Sequence, residues 1–228
     1  MNGWKPSFPG ERPTLGWLVL DWIEENLVVP DGPSMGEPLT FTREQAQFVL
    51  ELYEVDPTFT SGAIRGRSLV NARLVRRAVL SRPKGWGKSP LVAALCMVEA
   101  LGPVVLDGWD ADGQPVGRPW TSLGFKAKVQ IVAVSEDQTD NVWTALVPMI
   151  ELGELSANVP DTGKTRINVS GGNGSSGVIE PVTSAALSRL GQRLTFALHD
   201  ETHSWTEHNG GMKLADTQRR NLAGMKGR

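Results

Sequence analysis

Apolar positions along this chain fall into helical and strand-like runs separated by Pro/Gly-rich stretches. Leu15, Leu18, Val19, Trp22 and Ile23 recur at helical spacing, with Asp21, Glu24 and Glu25 on the other side, which predicts an amphipathic helix ending near Leu27. Residues 1–13, with Pro6, Pro9 and Pro13, read as an irregular lead-in, and Pro30, Gly32, Pro33, Gly36 and Pro38 mark a linker. The expected division is 1–38 as a helical lead-in and linker, and 39–228 as the main domain. A second helix is predicted from Thr42, because Thr42-Arg43-Glu44-Gln45 fits a capping box with Thr42 as N-cap and Gln45 at N3. Its apolar stripe is Ala46, Val49, Leu50 and Tyr53.

Residues 74–80 (Leu-Val-Arg-Arg-Ala-Val-Leu) read as a strand, followed by the loop Arg82–Ser89 and a helix marked by Leu91, Ala94, Leu95, Val98 and Leu101, which Gly102 should end. Residues 103–124 are rich in Gly, Pro and Asp and read as a long surface loop. Val129–Val134 reads as a buried strand, 137–151 as a helix, and Thr165–Val169 as an alternating strand. Gly171–Gly177 reads as a flexible turn, Leu187 and Leu190 as part of a short helix, Leu194–Leu198 as a buried strand, and 213–223 as a last helix. No internal repeat is visible. This alternation of strands and helices argues for a largely parallel α/β sheet.

Bulk properties narrow the function classes only slightly. The chain has 228 residues, 40% hydrophobic and 21% charged, with a formal net charge of −2, so overall charge gives no argument for nucleic-acid binding. Cys96 is the single cysteine, which rules out an internal disulfide and makes a reducing intracellular setting the default expectation. No cationic start with an apolar core is seen, and no apolar run approaches the ~18 residues of a membrane span. The sequons at Asn168 and Asn173 are read as chance.

The chemistry centres on Arg82-Pro83-Lys84-Gly85-Trp86-Gly87-Lys88-Ser89. It follows the phosphate-loop pattern G-x-x-x-x-G-K-[ST], with Arg82 in place of the first Gly. A helix N-terminus and the preceding amides can face an anion there, and Gly85 and Gly87 permit the tight backbone path. Lys88 would contact the β- and γ-phosphates, and Ser89 would hold Mg²⁺. The competing reading is a Gly-rich turn with an exposed lysine. Gly163-Lys164-Thr165 shares the tripeptide but lacks a leading strand and a following helix, and is rejected as a phosphate site.

A strand ending in His199-Asp200-Glu201 supplies the carboxylates such a site needs. Asp200 would assist Mg²⁺ through water, and Glu201 would act on the attacking water. Taken alone, the pair reads first as two solvated acids at the end of a buried strand. His199 and His203, four apart with a Glu between them, offer a zinc alternative with His208 as a third ligand, but the order differs from H-E-x-x-H and a strand precedes it. Residues 57–98 contain no Asp or Glu and carry Arg65, Arg67, Arg73, Arg76, Arg77, Arg82, Lys84 and Lys88, a local bias that attracts polyphosphate or a nucleic-acid backbone. Arg65, Arg67 and Arg73 are read as a solvated basic face, whereas Arg82 and Lys84 lie in the loop itself. Arg189 and Arg193, before the acid-bearing strand, are candidates, along with Arg82, for an arginine finger, against the plainer reading of surface arginines.

Together, Lys84–Ser89 with its preceding basic residue and the strand ending in Asp200-Glu201-Thr202-His203 resemble the large terminase subunit of tailed phages. Phe41–Gln47 resembles that family's adenine-contacting segment, with Gln45 as the matching residue, and Val129–Val142 is similar to its second core strand and helix. The resemblance covers roughly residues 40–228. It implies a three-layer P-loop NTPase of the RecA/ASCE-like kind, with a mostly parallel central sheet and helices on both faces. It also implies a Mg²⁺-dependent ATPase that drives double-stranded DNA into procapsids in the cytoplasm of an infected host. The implied partners are a portal protein, a small terminase subunit and other copies in a ring, with a monomer expected in isolation and no membrane. The family's nuclease domain and its Ser/Thr-rich coupling motif are not found before Arg228, so a fragment holding most of the ATPase domain is expected, without nuclease activity. Alternatives are a helicase- or recombinase-like P-loop ATPase, or a nucleotide-binding module that never turns over.

Overall fold

The structure, a computed structural model, describes residues 3–59, 72–155, 161–163, 166–170, 174, 176–183 and 192–223. Helix α1 (Gly16–Asn26) and helix α2 (Arg43–Leu52) form where the apolar spacing predicts them. The capping box closes, with Thr42 Oγ1 accepting from the Gln45 amide and Gln45 Oε1 accepting from the Thr42 amide. Leu15, Val19, Ile23 and Leu27 enter the same core as Val49, Leu52 and Tyr53.

Helix α3 (Lys88–Leu101) is buried along its length from Leu91 and ends at Gly102, whose backbone is extended rather than left-handed. Residues 103–124 are not a surface loop. They form a hairpin of β1 (Val105–Trp109) and β2 (Pro115–Arg118), then a 3₁₀ turn at Trp120–Leu123. Val104, Val105, Leu106, Trp109 and Trp120 are buried there. The Asp110 carboxylate accepts from the Asp112 and Gln114 amides at 2.9 and 2.8 Å, which builds the turn. Gly and Pro at turns and at a bulge hid a short hairpin whose buried apolar residues lie on β1, while Val116 of β2 is exposed.

The central sheet has five strands in the order β4-β5-β6-β3-β7. These are β3 (Ala127–Val132), β4 (Asp161–Gly163), β5 (Arg166–Ser170), β6 (Ser176–Val182) and β7 (Phe196–His199). Strand β3 pairs in parallel with β6 and β7, while β4, β5 and β6 form an antiparallel meander. The sheet is thus mixed, not mostly parallel. A parallel connection needs a crossover long enough to return over the sheet, and the short segments between β4, β5 and β6 permit only reversals. Strand β6 escaped the sequence reading because Glu180 and Pro181 interrupt its apolar run.

Alternation along β3 sorts its side chains. Ala127, Val129 and Ile131 share a core with α3 and with Val142, Leu146 and Met149 of α4 (Glu136–Glu151). On the other face, Val132 packs with Leu214 and Ala215 of α5 (Gly211–Ala223), and Gln218 of α5 donates to Gln130 at 2.8 Å. Gln130 in turn donates to Glu180 at 2.6 Å, and Lys128 reaches Glu180 at 3.2 Å. This buried polar seam fixes the seating of α5, since each group would cost free energy if left without its partner.

Residues 74–80, expected as a strand, run without a ladder, and Leu74 and Val79 are exposed. A strand exists only through a neighbour; the Leu74 amide donates to the Glu54 carbonyl at 2.9 Å beside the Val55–Arg73 bridge, and among the described residues no ladder continues from there. Arg73, expected on a solvated face, is instead buried in an ion pair with Glu99 at 2.6 Å and lies over the Tyr53 ring at 4.2 Å. Arg65, Arg67, Arg189, Lys164, Thr165, most of the Gly171–Gly177 turn and the helix at Leu187 and Leu190 lie outside the described residues.

Candidate functional site

The loop Arg82–Ser89 runs into the N-terminus of α3, so Lys88 and Ser89 occupy its first turn. Gly85 and Gly87 both take left-handed backbone, with φ of 84° and 89°. At Gly87 a Cβ would also meet Gln45 Nε2 at 2.8 Å and displace that amide, while the left-handed backbone is what disfavours a side chain. The Lys88 ammonium folds back and donates to the carbonyls of Arg82 and Pro83 at 2.9 and 3.0 Å. Lys84 is exposed.

Helix α2 holds the loop from outside. Gln45 donates to the Trp86 carbonyl at 3.0 Å while its oxygen accepts from the Thr42 amide at 2.9 Å. Both ends of that amide are engaged, so a contact from Gln45 to adenine would have to replace one of these bonds. Glu44, which the sequence reading passed over, binds Arg82 Nη2 at 2.6 Å and accepts from the Trp86 indole at 3.0 Å. The indole bond, then the Arg82 hydrogen bond and charge, hold the Glu44 carboxyl below its ordinary range against the opposing effect of burial. An acidic residue in the first turn of a helix beside the capping residue was the available signal.

The acid pair follows β7. The Asp200 amide donates to the Val132 carbonyl at 2.9 Å, which extends the β3–β7 register by one step and fixes Asp200 at the strand end. Burial raises the Asp200 carboxyl, and the neighbouring Glu201 charge adds to this; the Glu201 amide bond at 3.0 Å and the charge of Lys88 pull the other way. Helix α3, which Lys88 and Ser89 open, packs against β7, the strand that ends at Asp200. Glu201 has φ 48° and ψ 40°, a left-handed conformation found at no other non-glycine among the described residues. The chain turns there into a 3₁₀ turn at Thr202–Ser204, and Glu201 meets His203 Nδ1 at 3.2 Å.

These residues suit a polyphosphate with a divalent cation. A half-buried carboxylate beside a second one gains from a cation, and a lysine with two carbonyl partners can exchange them for phosphate oxygens. Zinc is poorly served. His199 is stacked on Trp205 at 4.9 Å, His203 is 80% exposed, and no cluster of three or more ligating side chains exists among the described residues. Arg193 is exposed at the opposite end of β7 from Asp200, roughly 20 Å away at strand rise, and so cannot reach this chain's own acid pair.

No family model matches the chain. A solved structure does, the crystal structure of the HK97 bacteriophage large terminase, with a TM-score of 0.58 and 20% identity over 92% of this chain and 36% of that one. In fold, the chain is similar to a phage large terminase. By sequence it is 32% identical over 252 residues to the Gene 13 protein of Mycobacterium phage L5, covering 98% of this chain and 39% of that protein. It is 31% identical over 242 residues to the Gene 13 protein of Mycobacterium phage D29, covering 96% of this chain and 37% of that protein. The chain thus spans less than half the length of these relatives. No helix among the described residues is long and apolar enough to cross a membrane.

Proposed function

We propose that this chain is the ATPase unit of a phage large terminase subunit, taking ATP with Mg²⁺ between the Arg82–Ser89 loop and the Asp200–Glu201 strand end. The observation that carries the reading is that helix α3, whose first turn holds Lys88 and Ser89, packs against β7, the strand that Asp200 and Glu201 follow. The terminase-like fold and the phage origin of the relatives support it. In this reading Lys88 exchanges its carbonyl partners for β- and γ-phosphate oxygens, and Arg82 and the amides of Lys84–Gly87 line the phosphates. Ser89 and Asp200 hold the cation, Asp200 through water, and Gln45 sits next to the adenine. Bound Mg²⁺ supplies charge neutralisation at the phosphate oxygens. Glu201 orients and deprotonates the attacking water.

The three-layer RecA/ASCE-like class belongs to the same proposal, with residues 39–228 as the ATPase unit and 1–38 as its helical lead-in. Hydrolysis would drive double-stranded DNA into a procapsid in the host cytoplasm. The partners would be a portal protein, a small terminase subunit and further copies in a ring.

Calorimetric titration of Mg-ATP and a phosphate-release assay on this chain test the reading. Lys88→Ala should weaken ATP binding by about tenfold or more, the worth of a charge-assisted contact. Glu201→Gln should keep binding and lose roughly two to four orders of magnitude in turnover. Absence of ATP binding by the unmodified chain at millimolar nucleotide, or binding that ignores Lys88, would overturn it.

A further inference from the structure

One carboxylate on α2 grips two residues of the phosphate loop. Glu44 Oε1 lies 2.6 Å from Arg82 Nη2, and Glu44 Oε2 accepts from the Trp86 indole at 3.0 Å. The Arg82 guanidinium stands 5.5 Å from the centre of the Trp86 ring, so the three side chains close a triangle. Gln45, the next residue, holds the Trp86 carbonyl. A carboxylate oxygen and a phosphate oxygen are the same kind of acceptor for a guanidinium, so they compete for it.

We propose that Glu44 is an internal competitor for Arg82, holding the guanidinium against α2 and surrendering it to the polyphosphate, and so setting the affinity of the loop. The proposal rests on the reading of Arg82–Ser89 as a phosphate site. Exchange is cheap because the pair is solvated, with the Arg82 side chain 41% and the Glu44 side chain 55% exposed. The indole does not follow the guanidinium. As a neutral donor on a residue whose main-chain carbonyl is tied to Gln45, Trp86 keeps its bond to Glu44 and holds the carboxylate in place for Arg82's return. Glu44 is thus a positioning residue that acts through Arg82.

The competition has a sign that a plain structural role lacks. If Glu44 only braced the loop, its replacement would weaken phosphate binding. If it competes, Glu44→Gln should strengthen binding, because glutamine keeps an oxygen for the indole and loses the charge that held Arg82. Inorganic tripolyphosphate, which has no base to involve Gln45, is the probe, titrated calorimetrically at low salt into the unmodified chain, Glu44→Gln, Arg82→Ala and the double variant. The expected result is tripolyphosphate bound roughly two- to fivefold tighter by Glu44→Gln, the scale of an exposed ion pair. That gain should vanish when Arg82 is also absent. Equal or weaker binding by Glu44→Gln, or a gain that survives Arg82→Ala, overturns the inference while leaving the phosphate site intact. Failure of the unmodified chain to bind either tripolyphosphate or ATP overturns both.

Discussion

Gln45 and Trp86 are joined by a hydrogen bond of 3.0 Å from the Gln45 side-chain amide to the Trp86 carbonyl. The same side chain accepts from the Thr42 amide at 2.9 Å, so one glutamine caps α2 and restrains the loop that leads into α3. Gln45→Ala removes both bonds, and the expected loss is about 1–2 kcal/mol of unfolding free energy, read as a lower urea midpoint at unchanged slope. Gln45→Glu keeps the acceptor for Thr42 but cannot donate to Trp86. With its second oxygen set against the Trp86 carbonyl in a buried position, it should be no more stable than Gln45→Ala, and the loop should become more susceptible to protease cleavage near Trp86.

Arg73 and Glu99 form a buried pair whose loss should be felt throughout the core. Glu99 is fully buried, accepting from Arg73 at 2.6 Å, from Tyr53 at 3.1 Å and from Trp120 at 3.4 Å. Arg73→Ala strands that carboxylate, with an expected cost of about 3–5 kcal/mol in chemical denaturation. Joint replacement by Met at 73 and Leu at 99 should recover only part of it, because it removes the stranded charge but also the acceptor that Tyr53 and Trp120 use.

His199 should give the protein an acid-sensitive stability. Burial first, then the charges of Arg219 and Arg77, lower its imidazole from 6.5 to about 4, and its Nε2 is buried with no hydrogen-bond partner among the described residues. The folded state resists a proton that the unfolded chain accepts. Stability from this group is therefore intact above pH 6.5 and is lost as pH falls from there to about 4, by roughly 3 kcal/mol in all. His199→Phe keeps an aromatic ring beside Trp205 and removes the titration. The difference in unfolding free energy between the two proteins should move in favour of the variant by that amount across the window, and a constant difference would refute the assignment.

Glu201 occupies left-handed backbone at φ 48°, costly for a side chain and costlier still for a branched one. Glu201→Val should be less stable than Glu201→Gly by about 1–2 kcal/mol in thermal unfolding. Both variants should lack the hydrolysis proposed above, which separates the backbone demand at this position from the carboxylate's chemical one.

Several features were legible in local sequence. The capping box at Thr42 and Gln45, the helical stripe after Lys88 and the apolar strand leading to Asp200 each depend on spacing within a few residues, and each formed. The hairpin at 105–118 was obscured because its strands are short and its turn residues dominate the composition. Strand β6 was obscured because Glu180, a charged residue inside a buried strand, is balanced by Lys128 and Arg166 from elsewhere in the chain.

By itself, then, the sequence determined helices α1 to α5, the glycine-permitted path of the Arg82–Ser89 loop and the position of the acid pair after an apolar strand, because backbone sterics and hydrophobic period act over short distances. Only the tertiary structure decided that β4 to β6 run as a meander, that Arg73 is buried against Glu99, and that Glu44 rather than a solvent shell receives Arg82. Those outcomes turn on which residues meet across long stretches of chain. A strand without a neighbour forms no ladder, as residues 75–80 form none among the described residues, and a charge moves inside only when its counter-charge is already waiting there.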